Sequence, residues 1–483
     1  MTQSERRTLK GFLCLTLFGG ILTVCFAKAL FSSRNDPKTS LGHGTSLVPV
    51  PKDAPLCGEL DRRKPRLPPE WDSFVPPAVG KSYKDPAFGC EVTRLSSATE
   101  NASSSGKHTS LMNYYSTFSA VNATDTMVLL AGDDGSWRVE DFKGSLIVAP
   151  DRMPSMNDGH PVWDAKDGTS FYYALRNTLN KGTIVGHSIK SAVLHTFSEY
   201  KAVASSDAAD LSQDGDHIAL VGQNINQTID VFVWSLGQKT KTSVYRTQCA
   251  IKKWDVGETP QPACVHKIQL TPHNRLSIEF ADDGTLPEQG LRLWDGKQLI
   301  HLQDHTNHYD TGYDISGNPI FIEIGGSDIL TGQKNACPSR WGLEVRRLDD
   351  LSSAICLLDG QPPLHVSYRG SAAQPWAAVS FFDERKNGPE VFTHDPGYHA
   401  PSNSNWKLYE DEIVLARIDG AAVYRLAHAR SRSAEGYWYT PRAAISRDGK
   451  YVVFTSSMAY PNGCPADMLV PNECTDVYLI KVQ

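Results

Sequence analysis

The feature that most constrains this chain is a repeated unit. A strand, a tight polar turn, a second strand and two further strands follow one another at a period of roughly 50 residues. The unit is clearest at Leu211-Ser212-Gln213-Asp214-Gly215-Asp216-His217 and at Ile445-Ser446-Arg447-Asp448-Gly449-Lys450-Tyr451. Asp-Gly between two β-rich runs closes a hairpin, because the turn needs residues that tolerate a left-handed backbone. A four-stranded sheet of this size cannot bury both faces alone, so repeated copies must stack, and radial stacking gives a propeller. The chain therefore reads as all-β.

The first blade is predicted over 114–121, 127–131, 137–142 and 145–149, and the second over 161–164, 170–175, 183–189 and 192–197. The third takes 208–211, 217–221, 228–235 and 242–246; the fourth 266–270, 276–280, 290–294 and 298–302. The fifth takes 310–315, 319–324, 341–347 and 353–358; the sixth 365–368, 376–382, 412–418 and 422–426. The last unit, at 441–445, 450–456 and 476–482, ends one strand short. Left so, it would expose an unpaired edge. Residues 90–95, Cys-Glu-Val-Thr-Arg-Leu, are the candidate for the vacancy. The prediction is a seven-bladed β-propeller over 90–483, its last blade closed by an N-terminal strand.

Arg6, Arg7 and Lys10 precede an apolar run over 11–27, and Ala27-Lys28-Ala29 offers a small-x-small exit. Residues 1–29 thus read as a secretory signal peptide, with an uncleaved membrane anchor as the rival, since the run is near the lower length limit for a span. Residues 30–89 are Pro-rich, without sustained periodicity, and read as a linker along the propeller's side held by Cys57. Eight cysteines lie outside the apolar run, an even number that suits disulfides in an exported chain. Nearest-neighbour pairing is attractive because each bridge would staple one local feature, although eight cysteines allow 105 pairings. Three sequons, at Asn101, Asn122 and Asn226, matter only in a eukaryotic secretory route. A net charge of −6 without a basic stripe argues against nucleic acid as a partner.

The two clearest repeats resemble the blade motif of WD-repeat-like propellers of the bacterial Tol type, and are distantly similar to the blades of oligogalacturonate lyases. The resemblance implies the fold. That fold hosts many unrelated activities, so it implies little about function. The lyases place a histidine-bound metal in the channel, which implies a similar use for channel histidines here; no full ligand set aligns residue by residue.

In such a blade, the link into the innermost strand and the loop between the second and third strands open on one face. His108, His160, His266, His305, His308 and His365 fall at such links, and His428 leaves the sixth blade shortly before Arg442 of the seventh. A metal set of His305, His308 and His365 is expected if a divalent cofactor is present, because neutral imidazole suits borderline metals. His308 or His365 could act as general base, with Arg442 neutralising a carboxylate. His160, Asp310, His428, Tyr398, Trp406 and Arg430 are candidate ligand-binding residues. Tyr398 and Trp406 lie on the long sixth-blade insertion 383–411, where binding usually concentrates. The plainer reading is that these polar groups satisfy strand ends and neighbouring blades.

The expectation is therefore an exported ligand-binding or interaction module, monomeric, with carbohydrate or protein as partner. It touches a membrane only through 11–27 if that run is kept. The alternative is a polysaccharide lyase acting on uronate-containing glycans.

Overall fold

The computed structural model describes residues 55 and 57–483, except 101–102, 104, 155–159, 207–209, 251–264, 281–285, 305–307, 326–334, 340, 361–364, 371–372, 382–405, 432–439 and the side chains of 249–250. These residues form seven antiparallel sheets arranged as propeller blades. In five sheets the strands run from the innermost outwards in chain order, a simple meander; the sixth and seventh do the same and then take N-terminal strands at the outer edge. The innermost strands are Leu111–Met112, Val162–Trp163, Tyr200–Ala204, Val265–Thr271, Tyr309–Tyr313, His365–Ser367 and Ala444–Ile445.

The turns explain why the repeat recurs. In the third blade the Ser212 hydroxyl donates to the Asp214 carboxylate and accepts from the His217 amide, while Gly215 takes φ 76° and donates its N–H to the Ser212 carbonyl. In the seventh, Ser446, Asp448, Gly449 and Tyr451 repeat the arrangement bond for bond. Ser and Asp absorb the turn's backbone groups, and Gly alone takes the left-handed corner without strain.

Some expected boundaries move. The second blade's outer strands are Thr178–Val185 and Ser188–Thr196, because Gly186 at φ 60° turns the chain inside the stretch read as one strand. The third blade starts at Tyr200–Ala204 rather than 208–211; residues 207–209 lie outside the described ones, and Leu211 keeps only an isolated bridge to Ile218. The first blade's inner strand is Leu111–Met112, not 114–121. Tyr114 adopts φ 65°, so the chain leaves the strand there and rejoins the sheet only through the Val121–Val128 bridge.

The seventh sheet contains strands from both ends of the described chain. Glu91–Arg94 pairs antiparallel with Asp476–Lys481, in the register Val92 to Ile480, Thr93 to Leu479 and Arg94 to Tyr478. The Arg94 guanidinium meets the buried Asp476 carboxylate at 2.8 Å. Ser82–Lys84 adds a further strand outside Glu91–Arg94, and Glu59–Leu60 pairs with the outer strand Val423–His428 of the sixth blade. The Pro-rich segment thus runs along the outer edges of the sixth and seventh blades as a strap. Cys57–Cys90 ties it down, and Cys337–Cys356 and Cys464–Cys474 are also formed. The remaining expected pair, Cys249 with Cys264, falls outside the described side chains. Three disulfides suit an oxidising compartment outside the cytosol. Among the described residues no helix is long and apolar enough to cross a membrane; the apolar run 11–27 lies outside them.

The core is a ring of inter-blade clusters. Trp163 and Phe171 of the second blade pack with Leu129 and Val139 of the first, in a cluster that also takes Val453, Val477 and Leu479 of the seventh. Phe197 and Leu179 meet Leu220 and Phe232 of the third, and Val231 meets Ile278 of the fourth. Leu291 meets Phe321, Ile322 meets Val379, and Ile413 meets Phe454, which brings the contacts round to the seventh blade. Stability comes from blade-on-blade burial rather than from any sheet alone.

One sequon is part of this framework. The buried Asn122 side chain accepts from the Thr126 and Met127 amides at 2.9 and 3.1 Å and donates to the Gly168 carbonyl at 2.7 Å, joining the first two blades. Asn122→Ala would leave those groups unpaired in the interior, at about 1–3 kcal/mol each where no water replaces them. A loss of about 2–4 kcal/mol in chemical denaturation is expected. Asn226, by contrast, is exposed on a hairpin tip.

Candidate functional site

The excursion that interrupts the first blade fills the propeller's axis. Asn113 starts it: its side-chain amide donates to the Arg442 carbonyl at 2.8 Å and its carbonyl oxygen accepts from the Thr455 hydroxyl at 2.6 Å. From the left-handed Tyr114 onward, side chains of 114–119 reach several other blades. The Tyr114 hydroxyl bonds His160 Nε2 of the second blade at 2.8 Å. The Tyr115 hydroxyl bonds His308 Nδ1 of the fifth at 2.7 Å. The Ser119 hydroxyl donates to Asp210 of the third, and accepts from Arg369 of the sixth at 3.1 Å. A tyrosine-rich plug therefore ties the channel walls together.

At the end of the channel where the innermost strands begin, the plug helps build a compact cluster. The His308 and His365 rings sit 4.3 Å apart, and the His365 ring meets the Tyr115 ring edge-on at 5.4 Å. Lys267 of the fourth blade places its ammonium over the Tyr309 ring at 4.2 Å and the Tyr115 ring at 5.3 Å. Arg442, fully buried and at φ 44°, donates to the Tyr114 carbonyl at 2.8 Å and so holds the plug.

The electrostatics follow from burial. Burial lowers the His308 pKa to about 3, with Lys267 and His266 adding to the effect. Burial likewise pushes His365 well below the usual imidazole range, helped by His308, Arg442 and Lys267. Both rings are neutral at physiological pH and carry one donor and one acceptor nitrogen each. The cluster combines two neutral imidazoles, a phenol, an ammonium and a guanidinium. It can hydrogen-bond hydroxyls and attract a carboxylate.

A direct check is available. A free histidine is almost wholly protonated at pH 5. The ring signals of His308 and His365, assigned by loss in His→Gln variants, should keep neutral-imidazole shifts at pH 5 in heteronuclear NMR. Ordinary midpoints near 6.5 would mean that water reaches both rings.

The expected site residues separate into three groups. His308, His365 and Arg442 come together, whereas His160 bonds Tyr114 of the plug. Asp310 lies deeper, as a buried hub accepting from the Thr311 and Tyr368 amides at 2.8 and 2.6 Å and from Arg369 at 2.7 Å. Burial raises its pKa against the opposing pull of Arg369. His428, Arg430 and Trp406 sit instead at the outer edge of the sixth blade, beneath the strap. His428 Nε2 donates to the Arg66 carbonyl at 2.8 Å and its ring packs on Phe88; burial lowers its pKa to about 3. The Trp406 ring meets Trp71 edge-on at 6.1 Å, and the Arg430 guanidinium lies 4.1 Å from the Phe74 ring centroid. His305 and Tyr398 lie outside the described residues. Among the described residues, no group of three potential metal ligands includes His308 or His365. The one such group, Cys337, Cys356 and Asp359, has its thiols committed to a disulfide.

Lys267 and Tyr115 were not anticipated. Lys267 carried a signal: in the fourth blade's innermost strand Lys267, Gln269 and Thr271 alternate with Ile268 and Leu270, and all are buried. Polar residues on the inward face of an innermost strand must line the channel.

No family model matches the chain, and no curated protein matches it. Solved structures of similar chain path exist. One is an oligogalacturonate lyase from Vibrio parahaemolyticus, at 10% identity over 83% of this chain and 96% of that one, with a TM-score of 0.48. The WD40 domain of Neurospora crassa Pan2 gives 10% identity, 81% and 95% coverage, and a TM-score of 0.41. A protein assigned as TolB from Agrobacterium tumefaciens gives 15% identity, 56% and 74% coverage, and 0.29. These are propellers, and likeness at this level concerns architecture and says nothing of chemistry.

Proposed function

We propose that this chain is an exported ligand-binding propeller whose site is the His308–His365 end of the plugged channel, and that its ligand is an acidic carbohydrate. The observation that carries this reading is the convergence of His308, His365, Lys267, Tyr115 and Arg442 from five blades on one buried cluster. Lys267 supplies charge for a uronate carboxylate, and Arg442 adds to the local positive field. The neutral imidazoles and the Tyr115 hydroxyl both donate and accept, which matches sugar hydroxyls. The test is an array of uronate-containing and neutral oligosaccharides probed with the purified ectodomain, followed by calorimetry on any that are retained. Retention of acidic glycans is expected, and retention of none would end the proposal.

A second reading is eliminative cleavage of a uronate glycan, favoured by the neutral state of His308 beside a cation. His308 or His365 would take the proton next to the carboxylate while Lys267 or Arg442 offsets the growing negative charge. The C–O bond to the leaving sugar would then break, leaving a C=C bond on one fragment, and the departing oxygen would take a proton from Tyr115 or water. Such turnover produces absorbance at the unsaturated-uronate band. Binding without that absorbance, and without metal in elemental analysis, would leave the binding function alone.

A further inference from the structure

The opposite end of the channel holds a separate cavity of about 470 Å³. Its walls are the far ends of innermost strands and the turns that follow them in the third to sixth blades, with Arg447 from the seventh. Between it and the His308 cluster lies a hydrogen-bonded polar layer. Arg369 bridges Asp210 at 2.9 Å and Asp310 at 2.7 Å, Ser119 of the plug bonds both Asp210 and Arg369, and Arg447 pairs with Asp210. The axis is therefore divided into two ends, each with its own chemistry.

The geometry points to this cavity as a second binding site, for a neutral hydroxyl-rich molecule of mono- or disaccharide size. The size falls in the range of small-molecule sites. The interior charges cancel: two guanidiniums, Arg369 and Arg447, face two carboxylates, Asp210 and Asp310. Some hydrogen-bonding capacity is nevertheless unspent. Arg369 Nη2 and Gln269 Oε1 belong to side chains that line the cavity and are more than nine-tenths buried, and neither atom has a hydrogen-bond partner among the described residues. Arg447 Nε likewise has none among them. Buried donors and an acceptor left open cost free energy unless something meets them. Sugar hydroxyls do both, since each can donate and accept. At the rim, the His273 and Tyr313 rings meet edge-on at 5.7 Å and offer apolar faces to a pyranose. His273 is held at φ 62°, with its N–H donating to the Tyr313 hydroxyl at 3.1 Å. Strain of this kind in a non-glycine residue clusters at ligand clamps.

The test uses saturation-transfer NMR and calorimetry on the purified ectodomain with glucose, galactose, maltose, cellobiose, glucuronate and galacturonate. Gln213 is exposed on the turn lining the mouth, so Gln213→Trp would obstruct entry with little effect on folding. Lys267 sits at the other end of the channel and does not line the cavity, so Lys267→Met leaves the cavity's shape intact. We expect at least one neutral sugar to bind the parent protein, Gln213→Trp to weaken it about tenfold or more, and Lys267→Met to leave it unchanged. Silence across the panel, binding confined to the two uronates, or equal affinity in Gln213→Trp of unchanged melting temperature would each overturn the second site. Neutral-sugar binding lost in Lys267→Met and kept in Gln213→Trp would assign it to the His308 end, which removes this inference and leaves the first proposal standing.

Discussion

Val92→Asp should abolish the folded protein. Val92 is fully buried, pairs with Ile480, and packs in a cluster with Phe454, Tyr478 and Trp376. The substitution removes about 1.5–3 kcal/mol of apolar burial. It also places a carboxylate among apolar side chains, which adds several kcal/mol if the charge stays unpaired. The total, about 5 kcal/mol or more, is comparable with the whole stability of an ordinary domain. Glu91 precedes it in the same strand but faces solvent, so Glu91→Ala should stay within about 0.5 kcal/mol of the parent. The measurement is yield of soluble protein together with thermal melting by circular dichroism. The contrast matters because the two positions differ only in which face of one short strand they occupy. If Val92→Asp melted like Glu91→Ala, the strand would be an ornament on a ring that closes without it.

How far the sequence discloses this arrangement depends on which physical signal a residue carries. Glu91–Arg94 was legible because an edge strand needs a partner and its alternation fits a half-buried position. The sequence left the pairing of the cysteines open, and the bridges Cys57–Cys90, Cys337–Cys356 and Cys464–Cys474 agree with the nearest-neighbour choice that local loop closure made attractive. Residues 113–120 were not legible. Tyr-Tyr-Ser-Thr-Phe-Ser is rich in strand-favouring residues, and only the left-handed backbone of Tyr114, held by Asn113 and Arg442, diverts it into the axis. That diversion depends on Arg442, more than 300 residues away, so no local pattern reports it. Histidine placement was legible along the axis but not across the radius. His365 starts the sixth blade's innermost strand and His428 ends its fourth, so both lie toward the same end of the blade. Only the first reaches the channel. The second is covered by Trp406 and Phe88 under a strap whose contacts come from distant sequence.

The second large effect falls on ligand binding. Lys267→Met is expected to lower affinity for an acidic sugar by roughly 10- to 100-fold, since a hydrogen bond to a charged group contributes about 1.5–3 kcal/mol. Met keeps most of the length and apolar stem that packs between Tyr115 and Tyr309. Removing one buried charge can leave its counter-charges uncompensated, so the melting temperature of the variant is read alongside its affinity. The same substitution has a second, independent consequence. Lys267 is the largest of the charge effects that hold His308 below the usual imidazole range, so His308 should begin to protonate at a higher pH in the variant. The sign is fixed: removing a nearby positive charge makes the imidazolium easier to form. Calorimetry reads the first effect, and the His308 ring signals followed from neutral pH downward read the second. A His308 midpoint that rises while affinity for every acidic sugar stays at the parent value would leave Lys267 as a neighbour of the cluster and place the carboxylate elsewhere. If both move together, the ammonium that tunes His308 is the one that meets the ligand.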